Sequence, residues 1–442
     1  MHIKRIQVHN FRCFEDETFE LDNAMTLVIG NNAKGKTALL ETLAVALGGY
    51  VNGIPAPTAK AVNKSKYTRT LEKQDIRRFF SGKEVITEER ASKCRIAVDV
   101  ILKSDAEAPI EMHWKREHSG SRANNAGAAR IKSLATEWYQ KSLSSDFTLP
   151  VIAYYGTGRL STGQRDESME VAKANAALAY YYCLKPDAQN KTFVRWIEHM
   201  AAIQEERGKP LKILRAVLNA IPLILPGSSH AYFSREYSEL VIEFDDGRFF
   251  PFSDLSDGQR SLVSLTADLA VRCAHLNQHL GELAPAKTPG VVLIDEIDLF
   301  VHPGWQRTIL DRLRTTFPLV QFVITTHSPF ILQSLGKGRV INLDHLNDHN
   351  RNPNLEKELS VEDITEEVMG IEGVQRSERF QCQVRLAEQY YRLLNEGMEP
   401  ESDTIQQLEQ QLDDIETEFG DNPAWVALLK TERRAKQNRK VE

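Results

Sequence analysis

An apolar run, Met25-Thr26-Leu27-Val28-Ile29, stops at Gly30 and is followed by Asn31-Asn32-Ala33-Lys34-Gly35-Lys36-Thr37. No other feature of the chain restricts its fold as strongly. A glycine-flanked loop of this length between a buried strand and a helix lets successive backbone N–H groups and a helix start converge on one anion. Glycine permits the close wrapping that a side chain would forbid. The spacing predicts a strand ending at Ile29, the loop over 30–37, and a helix from about Thr37 to Leu47 closed by Gly48-Gly49. In that context Lys36 would bridge terminal phosphates and the Thr37 hydroxyl would coordinate Mg²⁺. A chance glycine-rich turn is the alternative, and the flanking elements argue against it.

Three further segments carry chemistry. Val291-Val292-Leu293-Ile294 runs into Asp295-Glu296, so two carboxylates sit at the end of an apolar strand. Asp295 would hold the metal ion and Glu296 would polarise an attacking water. Carboxylates facing solvent at a strand end are common, so this segment gains weight only beside the phosphate loop. The strand Val320–Ile324 leads through Thr325-Thr326 to His327, which could donate a hydrogen bond to a γ-phosphate; a lone histidine in such a place is otherwise a packing residue. Leu255-Ser256-Asp257-Gly258-Gln259-Arg260 precedes a helix expected from Gln259 to about Gln278. Ser256 is a natural N-cap, and the exposed N–H groups behind it form a second anion site. One chain has one phosphate loop, so this second site invites a partner's nucleotide; alone it would read as an ordinary capped helix.

The rest of the chain surrounds these segments with an α/β pattern. Strands are expected at Arg95–Leu102, Ile110–Lys115, Leu149–Tyr155, Glu239–Phe244 and Phe249–Phe252, with a crossover helix over Trp305–Phe317. Residues 50–92 read as polar loops and short helices, and the stretch 118–130 as polar and mobile. The division expected is an N-terminal lobe over 1–160 with the basic insertion at about 50–92, a helical insertion over 161–228, a C-terminal lobe over 229–345, and an acidic helical tail over 346–442. Tail helices are expected at 377–396, 402–419 and 423–436. One has an apolar face of Phe380, Val384, Ala387, Tyr391 and Leu394, and another has Leu408, Leu412 and Ile415. These faces could meet a partner or pack on the chain itself.

Composition narrows the function classes. A net charge of −6 argues against a chain that is basic over its whole surface. The run Lys60, Lys64, Lys66, Arg69, Lys73, Arg77 and Arg78 is the candidate for phosphate-backbone contact, or else a solvated face. No apolar run is long enough to span a membrane, the start resembles a first strand rather than a signal peptide, and the 5 cysteines show no ligand spacing. A cytoplasmic chain without zinc or disulfides is expected.

Taken together, Asn10-Phe11-Arg12, the loop at 30–37, Leu255–Gln259, Asp295-Glu296 with Ile297-Asp298 and His302-Pro303, and Thr326-His327-Ser328-Pro329 resemble the ABC-type ATPase heads of the SMC/RecF superfamily, over roughly residues 1–345. The resemblance implies an ABC-ATPase head, a mixed-sheet core with a P-loop, that binds ATP and Mg²⁺. It implies nucleotide contacts from Gly30, Asn31, Asn32, Ala33, Lys34, Gly35, Lys36, Thr37 and Arg12. Glu296 and His327 would be catalytic, and Thr37 with Asp295 would hold the metal. Ser256, Gly258 and Gln259 of one copy would cap the nucleotide of another, and Asp298 would lie in the loop coupling the two sites. Two departures stand out. Asp257 replaces the usual first glycine of the signature, and Tyr155-Gly156-Thr157-Gly158-Arg159 occupies the place of the usual glutamine loop without a glutamine.

Within that superfamily the chain has neither long coiled-coil arms nor a zinc hook, and its tail is too short and too helical for an appended Toprim nuclease. Its layout looks most like the PtuA-type ATPase subunits of Septu and retron anti-phage systems. That likeness implies a homodimer or higher oligomer, an HNH nuclease partner of the PtuB type, and DNA reached directly or through the partner. Two other readings stay open: a RecF-like repair ATPase that binds DNA itself, and an ATP-gated scaffold with little turnover.

Overall fold

The structure is a computed structural model of the 442-residue chain. It describes residues 1–56, 68–81, 87–103, 108–119, 123–160, 176–186, 192–346, 352–370, 385–387, 389–390, 392–393 and 402–418. Two compact units emerge, Met1–Val361 and Glu362–Glu442.

In chain order the first unit begins with β1 (His2–Phe11), β2 (Phe14–Glu20) and β3 (Met25–Ile29). There follow β4 (Arg78–Ser81), β5 (Thr87–Arg90), β6 (Cys94–Leu102), β7 (Ile110–His118), β8 (Ala123–Asn124) and β9 (Val151–Tyr155). The last six are β10 (Ser228–Ser234), β11 (Glu239–Phe244), β12 (Phe249–Pro251), β13 (Gly290–Ile294), β14 (Val320–Thr325) and β15 (Arg339–Asn342). Parallel and antiparallel pairings are divided between sheets. A five-stranded sheet in the order β15-β3-β14-β13-β9 is parallel throughout, and a second one, β2-β1-β6-β7-β8, is antiparallel. The three-stranded β10-β11-β12 and the hairpin β4-β5 complete the set.

Strands β3, β9, β13 and β14 are buried at every position, which is why they read as mostly apolar runs rather than alternating ones. The helix Lys36–Val51 is buried at every residue except Thr37. It touches β1, β6 and β7 of one large sheet and β13 and β14 of the other. Gln321 of β14 adds a polar tie between the sheets: its side chain accepts from Ile3 N–H at 2.7 Å and donates to the Ile3 carbonyl at 2.8 Å. Two helices of the insertion, Thr192–Arg207 and Lys212–Ile224, pack on the helix Asp257–Leu276 and on β10 and β11.

Several expectations need correction. The first helix does not stop at Gly48-Gly49 but runs through both to Val51. A Cβ at Gly48 would lie 2.2 Å from the Arg69 carbonyl, so this glycine serves a close backbone approach and not a helix end. The 118–130 stretch is not simply loop: β8 and a 3-10 turn at Ala126–Ala128 lead into a helix, Ala129–Ser144, which the reading missed. Part of the basic insertion forms the β4-β5 hairpin.

In the second unit the helix Asp403–Glu418 is present. Ala387 and Tyr390 form one buried cluster with Ile405, Leu408 and Leu412. Of the first expected face only Ala387 is described, and the tyrosine buried beside it is Tyr390 rather than Tyr391; Leu408 and Leu412 of the second face pack against them. Phe380, Val384, Tyr391, Leu394 and the helix expected at 423–436 lie outside the described residues. No helix among the described residues is long and apolar enough to cross a membrane. Cys13, Cys94, Cys183 and Cys273 are free thiols.

Candidate nucleotide site

Sheet order explains why the chemistry gathers. Strand β14 lies between β3 and β13 and runs parallel to both. The ends of three neighbouring strands thus deliver the loop at 30–37, Asp295-Glu296 and Thr326-His327 to one edge of the sheet, the edge where ligands of open parallel sheets bind.

The loop is held from within and without. Lys36 is buried, and its ammonium donates to the carbonyls of Gly30 at 2.7 Å and Asn31 at 3.0 Å. Burial pulls its pKa below the ordinary 10.5, opposed by the negative charges of Glu296, Asp344, Asp295 and Asp298. Asn31, Asn32, Ala33 and Lys34 form the exposed crest of the loop. Gly35 has φ +104°, in the left-handed region, and a Cβ there would meet Cys13 Sγ at 2.5 Å; both facts demand glycine.

Asp295 is the hub of the carboxylate end. Its Oδ2 accepts from the Thr37 hydroxyl at 2.9 Å and its Oδ1 from the Thr325 hydroxyl at 2.6 Å. Thr325 Oγ1 in turn accepts from Glu296 N–H at 2.8 Å. Glu296 is half-buried and takes a left-handed backbone, φ +46°, a conformation that costs a non-glycine residue about 1–3 kcal/mol and gathers at functional sites. Thr325 was noticed only as part of a pair; its hydroxyl orders both carboxylate residues. Asp298 accepts from the Thr326 hydroxyl at 2.6 Å, which ties the following loop to the end of β14. His327 is exposed at that strand end and has no hydrogen-bond partner among the described residues.

Thr37 and Asp295 present hard oxygen donors side by side, which fits Mg²⁺, an ion that takes one or two protein oxygens and leaves the rest to phosphates and water. Among the described residues no group of three His, Cys, Asp or Glu side chains is gathered for a metal.

The segment 255–260 is organised as expected locally. Ser256 caps the helix Asp257–Leu276, accepting from Gln259 N–H at 3.4 Å, while the Gln259 side chain accepts from Ser256 N–H at 2.9 Å. Ser256 and Asp257 are exposed at the helix start. Arg260 pairs with Asp257, partly offsetting the negative charge where glycine is usual. A Cβ at Gly258 would lie 2.2 Å from the Phe300 carbonyl, so the capped helix start rests directly on the loop that follows Glu296.

Two other candidates take part in a buried charge cluster. Arg12 donates to Asp75 Oδ1 at 3.2 Å and stands 3.5 Å from Glu41 Oε2, and Arg69 bonds the same two carboxylates at 2.6 Å each. Asp75, Glu41 and Arg69 are buried. Arg69 is therefore a structural charge and leaves the proposed nucleic-acid run, whose Lys60, Lys64 and Lys66 lie outside the described residues; Arg77 pairs with Glu15 at 2.8 Å. Arg12 also lines, with Cys13, Gln74, Ile76 and Arg78, a cleft of about 570 Å³, and Cys13 is the residue that abuts Gly35 of the loop. In place of a glutamine loop, Tyr155 donates to Asp268 at 2.8 Å and Asp268 pairs with Arg272.

A family model described as "AAA domain" matches residues 5–219, and one described as "AAA domain, putative AbiEii toxin, Type IV TA system" matches 167–333. The "Retron Ec83 probable ATPase" of Escherichia coli is 24% identical over 401 residues, covering 76% of this chain and 70% of that protein. The "Septu protein PtuA" of Bacillus mycoides is 35% identical over 104 residues, which is 24% of this chain and 14% of that one. Among solved structures, the SMC head domain from Thermotoga maritima matches with TM-score 0.41 at 14% identity, covering 76% of this chain and 93% of the other. With the phosphate loop and the carboxylate strand in place, the chain carries AAA-domain matches over residues 5–219 and 167–333 and is similar to the retron ATPases and to Septu PtuA.

Proposed function

We propose that the chain binds Mg²⁺-ATP at the joined ends of β3, β13 and β14, hydrolyses it, and acts as the regulatory ATPase subunit of an anti-phage defence complex. The observation that carries the chemistry is the Thr37–Asp295–Thr325–Glu296 chain of hydrogen bonds, which brings the loop, the carboxylate strand and the neighbouring strand into one site. Lys36 and the loop N–H groups bind the phosphates. Thr37 and Asp295 hold Mg²⁺, which supplies charge neutralisation on the phosphates. Glu296 takes the proton of the attacking water, and His327, exposed past the end of the neighbouring β14, donates to the terminal phosphate. The cleft behind Cys13 is assigned to the ribose and base.

The same reading completes the site with a second copy, whose Ser256, Gly258 and Gln259 meet the terminal phosphate while Asp298 links the two halves. The exposed, capped start of the helix Asp257–Leu276 supports this. The retron and Septu relatives support the defence role, with an HNH nuclease as the partner that meets DNA.

Glu296→Gln tests the assignment. The variant should keep ATP affinity and lose phosphate release by about 10²-fold or more, the usual scale of a positioned general base. Turnover at the wild-type rate would remove Glu296 from its role. Wild-type defence activity in a non-hydrolysing variant would instead favour a scaffold gated by binding.

A further inference from the structure

The phosphate loop is gripped at both shoulders, and the two grips come from different parts of the chain. Gly35 is held by Cys13 and Phe14. The other shoulder is held by the turn after β15. Strand β15 pairs with β3 through Asn342 and Ile29, and Leu343 N–H extends that pairing by donating to the Ile29 carbonyl at 2.9 Å. The next residue, Asp344, lands on the loop. Its Oδ2 accepts from Asn31 N–H at 2.7 Å, and its Oδ1 lies 3.4 Å from Lys34 Nζ. The Asp344 side chain is only 9% exposed. A carboxylate placed where a polyanion binds is electrostatically unfavourable unless it does something for the loop. Here its Oδ2 satisfies a backbone donor with a charge-assisted bond, while its Oδ1 stands near the Lys34 ammonium without a hydrogen bond to it.

The same turn is tied to the chain that follows. Asp344 N–H donates to Asn342 Oδ1 at 3.0 Å. The Asn342 amide donates to both oxygens of Glu356, at 3.2 and 3.1 Å, and Val340 N–H donates to Asn354 Oδ1 at 3.0 Å. Glu356 is buried. The segment from Asn352 to Leu359 thus leans on β15, whose following turn carries Asp344, a few residues before the second unit begins at Glu362.

Building on the nucleotide assignment above, we propose that Asp344 is a positioning residue of the phosphate loop and the link through which nucleotide occupancy reaches the 352–359 segment. Two substitutions separate its roles. Asp344→Asn keeps an oxygen for Asn31 N–H and drops the charge; Asp344→Ala drops both. Hydrogen exchange of the full chain is read on peptides covering 28–36 and 352–359, with and without a non-hydrolysable ATP analogue and Mg²⁺.

In the wild type the analogue should slow exchange in both peptides. Asp344→Ala should exchange faster than wild type at 28–36 without nucleotide, bind the analogue about tenfold more weakly, the scale of one charged hydrogen bond, and lose protection at 352–359 alone. Asp344→Asn should stay within about threefold of wild type. Wild type protected at 28–36 but not at 352–359 would overturn the link without needing any variant. An Asp344→Ala protein with wild-type exchange and affinity, or an Asp344→Asn protein as weak as Asp344→Ala, would overturn the positioning role. No protection at 28–36 in the wild type would sink the nucleotide assignment and this proposal with it.

Discussion

Lys36 shows how one side chain is prepared for its task. Its ammonium is buried against two loop carbonyls and faces several carboxylates. Burial disfavours the charged form and lowers the pKa from 10.5. The ammonium form is the one that binds phosphate. Affinity for a triphosphate should therefore be full at neutral pH and fall as pH rises through a value below that of ordinary lysine. Calorimetric titration of an analogue from about pH 7 to about pH 10 reads this; a flat profile would speak against the buried lysine as the phosphate contact. Lys36→Ala should lower affinity by about 10²-fold, the upper scale of a hydrogen bond to a charged group. Unaltered binding would reject the loop assignment.

At the scale of elements, the helix Lys36–Val51 carries the fold. It is buried on nearly all sides because both large sheets lie against it, and a mostly apolar helix without a solvent-exposed face belongs in a core. Gly48 was read as its end because glycine commonly closes helices; in the structure the missing Cβ makes room for the Arg69 carbonyl. Gly48→Ala should accordingly destabilise the chain by about 1–3 kcal/mol through overpacking, despite alanine's better helix propensity. Denaturant unfolding measures this, and a stabilised variant would show the approach to be soft. The helix Ala129–Ser144 carried a readable signal, buried Ile131, Ala135, Trp138 and Tyr139 at helical spacing, but the polar stretch before it masked its start.

At the scale of the whole molecule, the proposed pairing of two copies would rest on the start of the helix Asp257–Leu276. Ser256→Arg removes the cap and adds bulk where a partner's phosphate would sit. ATP binding by single chains should persist while ATP-dependent dimerisation, followed by light scattering, disappears. Dimerisation unchanged by the substitution would count against the sandwich. Gly258 lies against Phe300, in the loop that follows Glu296 of the same chain.

The sequence by itself determined the loop, the carboxylate strand, the capped helix and the strand leading to His327, because each depends on neighbours in the chain and on a spacing that backbone geometry enforces. The sheet order, and with it the meeting of Thr37 and Asp295 across 258 positions, needed the folded molecule. So did the ion cluster of Arg12, Glu41, Arg69 and Asp75 and the reach of Asp344 to Asn31 across 313 positions. No local periodicity constrains which distant charge a buried group will find. Packing decides it, because a buried polar group without a partner is too costly to keep.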